Sequence, residues 1–132
     1  MSTTPQLSVV VPVHNEEDNV APLVGEIVTA LRGVIDFEIV YVDDTSKDAT
    51  LQRLHDLQAT VPELRVIRHL SNAGQSTAVR NGVKAARAPW IATLDGDGQN
   101  DPADIPKLLA QRDSAAADIK LFAGWRVNRQ DS

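Results

Sequence analysis

Short apolar runs that end in polar clusters, each followed by a stretch of helical periodicity, constrain this fold more than any other feature of the sequence. Residues 7–13 are rich in Val and bounded by Pro and Asn, the pattern of a buried strand. Val20, Leu23, Val24, Ile27 and Leu31 then recur at helical spacing, with Asn15 or Asp18 placed to cap that helix and Gly33 to end it. The cycle repeats with a strand at 37–42, then a helix striped by Leu51, Leu54 and Leu57 that Pro62 stops. A strand at 64–68 follows, with a small-residue helix face of Ala78, Val79, Gly82, Val83 and Ala86 after the Asn72-Ala73-Gly74 turn. Residues 90–94 read as a fourth strand, Pro102 as the start of a helix carrying Ile105, Leu108 and Leu109, and 119–125 as a fifth strand.

Alternating strands and helices imply βαβ units with right-handed crossovers, hence an α/β domain with a mainly parallel sheet between helical layers. With 132 residues the chain is expected to form one domain, and no repeat, linker or low-complexity stretch divides it. Ligands of such sheets bind beyond the carboxyl ends of the strands. The stretches to inspect are therefore 12–18, 43–48, 71–75 and 95–101, which hold most of the unusual chemistry of the sequence.

Composition removes several function classes. The formal net charge is −5 and no Lys/Arg cluster stands out, which argues against a nucleic-acid partner. There is no cysteine, so thiolate metal sites and disulfides are impossible. No signal peptide is visible at residues 1–6, and no apolar run approaches the roughly 20 residues that span a bilayer. A cytoplasmic location is the expectation, with any membrane contact peripheral or made by sequence outside this chain.

The fourth strand runs into Asp95-Gly96-Asp97-Gly98-Gln99. Two carboxylates one residue apart at a strand end repel and need a cationic partner. A hard divalent cation such as Mg²⁺ or Mn²⁺ meets that need and keeps positions free for substrate phosphate. The bland alternative is a solvated acidic turn. An EF-hand is excluded, because Asn100 and Pro106 stand where Gly and Glu are required. A phosphatase with an aspartyl nucleophile also uses Asp-x-Asp after a strand and stays open as an alternative.

At the second strand end, Asp43 and Asp44 alternate in direction, so one carboxylate can face the cleft while the other braces the turn. A cleft carboxylate can accept from a nucleobase N–H or a ribose hydroxyl, whereas Ser46 or Asp48 can cap the next helix. The first strand end, Pro12-Val13-His14-Asn15-Glu16, has neither the G-x-G-x-x-G turn of dinucleotide-binding enzymes nor a Walker loop. Glu16 can take ribose hydroxyls or serve with Glu17 and Asp18 as a first-turn acid, and His14 can reach a ligand or be structural. Asn72-Ala73-Gly74-Gln75 feeds a helix N-terminus that favours anions. Arg126 and Arg129 suit a phosphate clamp or simple solvation.

Taken together, Val9-Val10-Val11-Pro12-Val13-His14-Asn15-Glu16-Glu17, Val40-Tyr41-Val42-Asp43-Asp44-Thr45-Ser46-Lys47-Asp48-Ala49-Thr50, Asn72-Ala73-Gly74-Gln75 and Thr93-Leu94-Asp95-Gly96-Asp97-Gly98-Gln99-Asn100-Asp101-Pro102 resemble the inverting family 2 glycosyltransferases. The likeness is to the branch with dolichol-phosphate mannosyltransferases and bacterial polyprenyl-phosphate sugar transferases. Gly124-Trp125-Arg126 looks like its next landmark, and the stretches keep the family's order and spacing over nearly the whole chain.

The resemblance implies a three-layer α/β/α Rossmann-like GT-A fold and sugar transfer from a UDP- or GDP-linked donor to a lipid phosphate with inversion. It implies that Pro12, Val13, His14, Glu16, Asp44 and Asp95 line the nucleotide pocket, with Asp44 on the base. Asp95 and Asp97, with Gln99 nearby, would hold a Mg²⁺ or Mn²⁺ ion on the diphosphate. Asp97 and Arg126 would be the catalytic residues, Arg126 facing the acceptor phosphate.

Thr45 and Ala49 stand where the family usually has Gly, and Lys47 replaces a small polar residue, so the turn at Thr45 is expected to be shifted or strained. The family's catalytic domain also continues well past 132 residues. The chain is therefore expected to be the N-terminal, nucleotide-sugar-binding portion, residues 1–132, incomplete at the C-terminus, possessing no completed acceptor side and prone to self-association. The alternative that this truncation raises is a nucleotide- and metal-binding module without turnover.

Overall fold

The structure, a computed structural model, describes residues 5–69, 71, 73–94, 102–103 and 105–106, and the backbone alone of 121–122 and 125–126. The elements in chain order are β1 (Leu7–Val13), α1 (Glu17–Leu31), β2 (Phe37–Asp44), α2 (Thr50–Gln58), β3 (Leu64–His69), α3 (Gln75–Ala85), β4 (Trp90–Thr93), β5 (Leu121–Phe122) and β6 (Trp125–Arg126). The first four strands form a parallel sheet in the order β3-β2-β1-β4. All their carboxyl ends therefore share one edge.

Both faces of the sheet are covered, which is why β1 and β2 are buried at every position rather than alternating. On one face Val9, Val11, Ile39 and Tyr41 pack with Val20, Leu23, Val24, Ile27 and Leu31 of α1 and Leu54 of α2. On the other, Val10, Val40, Val42 and Ile91 meet Ala78 of α3. The α3 layer lies close because its contact residues are small. A Cβ built on Gly82 would sit 2.5 Å from Val10 Cγ1 and 3.0 Å from Val42 Cγ2. The result is the three-layer α/β/α arrangement of GT-A proteins.

Several boundaries differ from the sequence reading. β2 and β3 each run further, to Asp44 and His69 instead of 42 and 68, while β4 stops at Thr93. The 119–125 segment is not one strand: Leu121–Phe122 and Trp125–Arg126 pair antiparallel. Neither Asn15 nor Asp18 caps α1; Glu16 occupies the cap position, with no side-chain cap bond. Asn15 instead adopts φ 56°, a left-handed conformation that Asn tolerates. Gly33, at φ 87°, follows α1 as expected. Near Pro102, the Ile105 N–H bonds to the Pro102 carbonyl at 3.0 Å and Ile105 joins the main core, while 107–110 lie outside the described residues.

At the amino edge of the sheet, buried Glu38 ties distant segments together. It accepts from Ser8 Oγ at 2.6 Å, Arg87 N at 2.8 Å and Arg65 Nη1 at 2.8 Å. Among the described residues no helix is long and apolar enough to cross a membrane.

Candidate functional site

The carboxyl edge is built by two loops that lock onto each other. Residues 14–17 follow β1 and residues 45–49 follow β2, and backbone donors of each find acceptors on the other. Asn15 N–H donates to Ser46 Oγ at 2.8 Å, and Lys47 N–H returns to Asn15 Oδ1 at 2.8 Å. Glu16 N–H donates to Thr50 Oγ1 at 2.9 Å, and Ala49 N–H to Glu17 Oε1 at 2.7 Å. Asp48 takes Thr50 N–H and Glu17 N–H at 2.9 and 3.3 Å and also accepts from Thr50 Oγ1. Glu17, Asp48 and Thr50 are thus spent on N–H groups at the two helix starts. Asp48 stands one residue before the Ala49 cap position, and Ser46 caps nothing. Thr45 adopts φ 59° within this clasp, a strained conformation for a β-branched residue, as its departure from Gly led one to expect.

Asp43 and Asp44 divide as strand alternation requires. Asp44, 4% exposed, accepts from Ala73 N and Gly74 N at 2.9 Å each and from His69 Nδ1 at 2.9 Å. Burial alone would raise its carboxyl, but the Ala73, His69 and Gly74 donors outweigh it and hold the group below the usual carboxylate range. Asp44 therefore anchors the turn between β3 and α3 while remaining an anion. Asp43 is fully buried, and neither of its oxygens has a partner among the described residues.

Several sequence-expected site residues come together here. Pro12 and Val13 close β1, buried and paired with Val42 and Asp43. Pro12 lies past Val10–Thr93, the last register pair between β1 and β4, where the missing ladder donor matters least. His14 is exposed and donates from Nδ1 to the Asp44 carbonyl at 2.7 Å, while Asn15 Nδ2 lies 3.3 Å from Nε2. Glu16 is half-buried and accepts from Asn19 Nδ2 at 2.7 Å, a first-turn contact that leaves its second oxygen uncommitted to that bond.

The acidic turn enters at the same place. Leu94 N–H donates to the Val10 carbonyl at 3.0 Å, which delivers the chain beside β1 just before Asp95. Asp95, Asp97 and Gln99 themselves lie outside the described residues. Among the described residues no group of three or more His, Asp or Glu is arranged to hold a metal ion. The backbone of Arg126 lies on β6, which approaches β4.

Sequence reading missed His69 and Asn81. His69 is the last residue of β3, and Asn81, on α3, lies 2.9 Å from its Nε2. A strand read as ending at 68 left His69 outside the inspected stretches. The missed signal was a polar residue on a helix face otherwise made of small ones.

Comparison with known proteins places this arrangement. Over 128 residues the chain is 41% identical to a dodecaprenyl-phosphate galacturonate synthase of Rhizobium johnstonii, covering 96% of the chain and 37% of that protein. It is 37% identical over 129 residues to an undecaprenyl-phosphate 4-deoxy-4-formamido-L-arabinose transferase of Pseudomonas fluorescens, covering 96% and 37%. It is 38% identical over 104 residues to a dolichol-phosphate mannosyltransferase of Pyrococcus furiosus, covering 79% and 29%. The chain thus spans between 29% and 37% of the length of these relatives. The solved structure of residues 1–349 of S. aureus TarS in complex with UDP-GlcNAc superposes with a TM-score of 0.68 at 25% identity, over 83% of the chain and 31% of that TarS fragment. The pattern described as glycosyl transferase family 2 matches residues 8–130, and the chain belongs to that family.

Proposed function

We propose that this chain carries the donor half of an enzyme that moves a sugar from a UDP- or GDP-linked donor to a polyprenyl-type lipid phosphate, with inversion at the anomeric carbon. The observation that carries the reading is the single carboxyl edge where Asp44, the clasped β1 and β2 loops and the start of the acidic turn meet. The names of the three relatives, each a polyprenyl- or dolichol-phosphate enzyme, support the acceptor class. They also favour transfer over the aspartyl-phosphatase alternative.

In this reading Asp44 accepts an N–H of the base, and Pro12, Val13, His14 and Glu16 wall the nucleoside. The donor set of Asp95, Asp97 and Gln99 is all oxygen, which fits Mg²⁺ or Mn²⁺, and Leu94 is bonded so that this turn starts beside β1. Such an ion, when bound, neutralises charge growing on the departing nucleoside diphosphate. The acceptor phosphate oxygen bonds to the anomeric carbon as the carbon–oxygen bond to the diphosphate breaks on the opposite face. Phosphate is already anionic, so the step needs no general base. Arg126 would hold the acceptor phosphate in place.

The test is to incubate the chain with UDP- and GDP-sugars and either a polyprenyl phosphate or the matching polyprenol, and to assay for lipid-linked sugar. A donor half is expected to bind one of these sugar nucleotides in the presence of Mn²⁺; any lipid-linked sugar it forms is expected with the phosphate only, with the anomeric configuration inverted by NMR. Product with the polyprenol, a retained configuration, or Asp95-dependent hydrolysis of phosphate esters without sugar transfer would contradict it.

A further inference from the structure

We propose that His69, steadied by Asn81, is the positioning residue that aims the Asp44 carboxylate, so that the choice of nucleobase depends on a contact made from helix α3. The inference rests on the reading of Asp44 as the base contact.

A carboxylate offers about four acceptor positions. Three on Asp44 are filled: Oδ1 by His69 Nδ1 and Ala73 N, Oδ2 by Gly74 N, each at 2.9 Å. Among the described residues the second position on Oδ2 has no donor, and that is the one a ligand N–H would take. Its direction is set by the rotation of the carboxylate about χ2. The two backbone donors hold the turn to β2, so His69 is not needed for that purpose. What His69 adds is a third donor to the carboxylate, the second on Oδ1, which braces its rotation from the β3 side.

The imidazole is itself oriented. Its side chain is 11% exposed, and with a proton on Nδ1 for Asp44 the Nε2 lone pair is left to accept the Asn81 amide N–H at 2.9 Å. Both ring nitrogens of a neutral imidazole are then satisfied, and one tautomer and one ring orientation are selected. Guanine and uracil present their ring N–H groups at different distances from the ribose. A carboxylate held at one angle from two elements discriminates between them, and one held by the Ala73-Gly74 turn alone, which can shift with that turn, does so less well.

The experiment is calorimetric titration with UDP and with GDP in the presence of Mn²⁺, on the unsubstituted chain and on Asp44→Asn, His69→Ala, His69→Asn and Asn81→Ala, each checked for folding by thermal unfolding. His69→Ala is expected to weaken the preferred nucleotide about tenfold and the other by less, so that the preference ratio falls. His69→Asn, whose amide N–H replaces the Nδ1 donor, is expected to recover part of the ratio. Asn81→Ala is expected to lower it in the same direction and carries the test should His69→Ala not fold. An equal loss for both nucleotides, or an unchanged ratio in the His69 and Asn81 variants while Asp44→Asn alters it, overturns the positioning role. An unchanged ratio in Asp44→Asn overturns the base-contact reading itself, and this inference with it.

Discussion

At the scale of single residues, the edge is made of groups held where their chemistry is costly. Thr45 sits at φ 59°, and its hydroxyl is buried without a partner among the described residues. Thr45→Gly removes the left-handed strain at the expense of some unfolded-state entropy, and should raise stability by about 1 kcal/mol in urea unfolding. A destabilised variant would mean that the Thr methyl group contributes more packing than the strain costs. The family resemblance exposed this turn, because only a departure from Gly made φ at Thr45 worth asking about. The alternation of Asp43 and Asp44 was equally readable, yet which of them braces the turn was not. That depends on the β3–α3 turn folding back across β2 to present Ala73 and Gly74, a tertiary fact that strand periodicity does not encode.

At the scale of elements, α3 connects the site to the core. It carries Asn81 and follows its cap residue Gly74, and it can lie close to the sheet only because Gly82 has no side chain. Gly82→Ala brings a Cβ to 2.5 Å from Val10 Cγ1. Overpacking of this kind costs about 1–3 kcal/mol against a helix-propensity gain of about 1 kcal/mol. The variant should therefore unfold at lower urea concentration and bind nucleotide more weakly as α3 is pushed away from Asp44. Unchanged stability with unchanged affinity would show that the helix shifts without cost. Strand and helix identities were legible throughout β1 to β4 because hydrophobic periods of these lengths are unambiguous. Their ends were not: β2 and β3 continue into acidic and imidazole residues that look like loop until their buried partners are known. The helix caps went the same way, since Asn15, Glu17 and Ser46 are used across loops rather than within their own turns.

At the scale of the whole molecule, the two edges of the sheet are both held by depressed carboxyls. Burial opposes ionisation of Glu38, but Ser8, the Arg87 N–H and Arg65 outweigh it, and Asp44 is lowered by its own three donors. Groups with folded values below their unfolded ones add stability above the unfolded carboxylate value of about 4, and lose it as pH falls through the folded value. Urea unfolding should accordingly show stability falling on acidification below pH of about 4, with a smaller fall in Glu38→Gln and in Asp44→Asn. Stability that holds or rises there would contradict the assignment. The fold class and the edge that bears the candidate site followed from the βαβ order alone, whereas the link from Asp44 through His69 to Asn81 needed the structure. The claim on which the functional account turns is that this edge binds a nucleoside diphosphate through a divalent cation. Calorimetric titration with UDP and with GDP, with and without Mn²⁺, tests it on the unsubstituted chain and on Asp97→Ala. The account predicts Mn²⁺-dependent binding of one nucleotide that Asp97→Ala abolishes; binding of neither, or binding indifferent to both Mn²⁺ and Asp97, would contradict it.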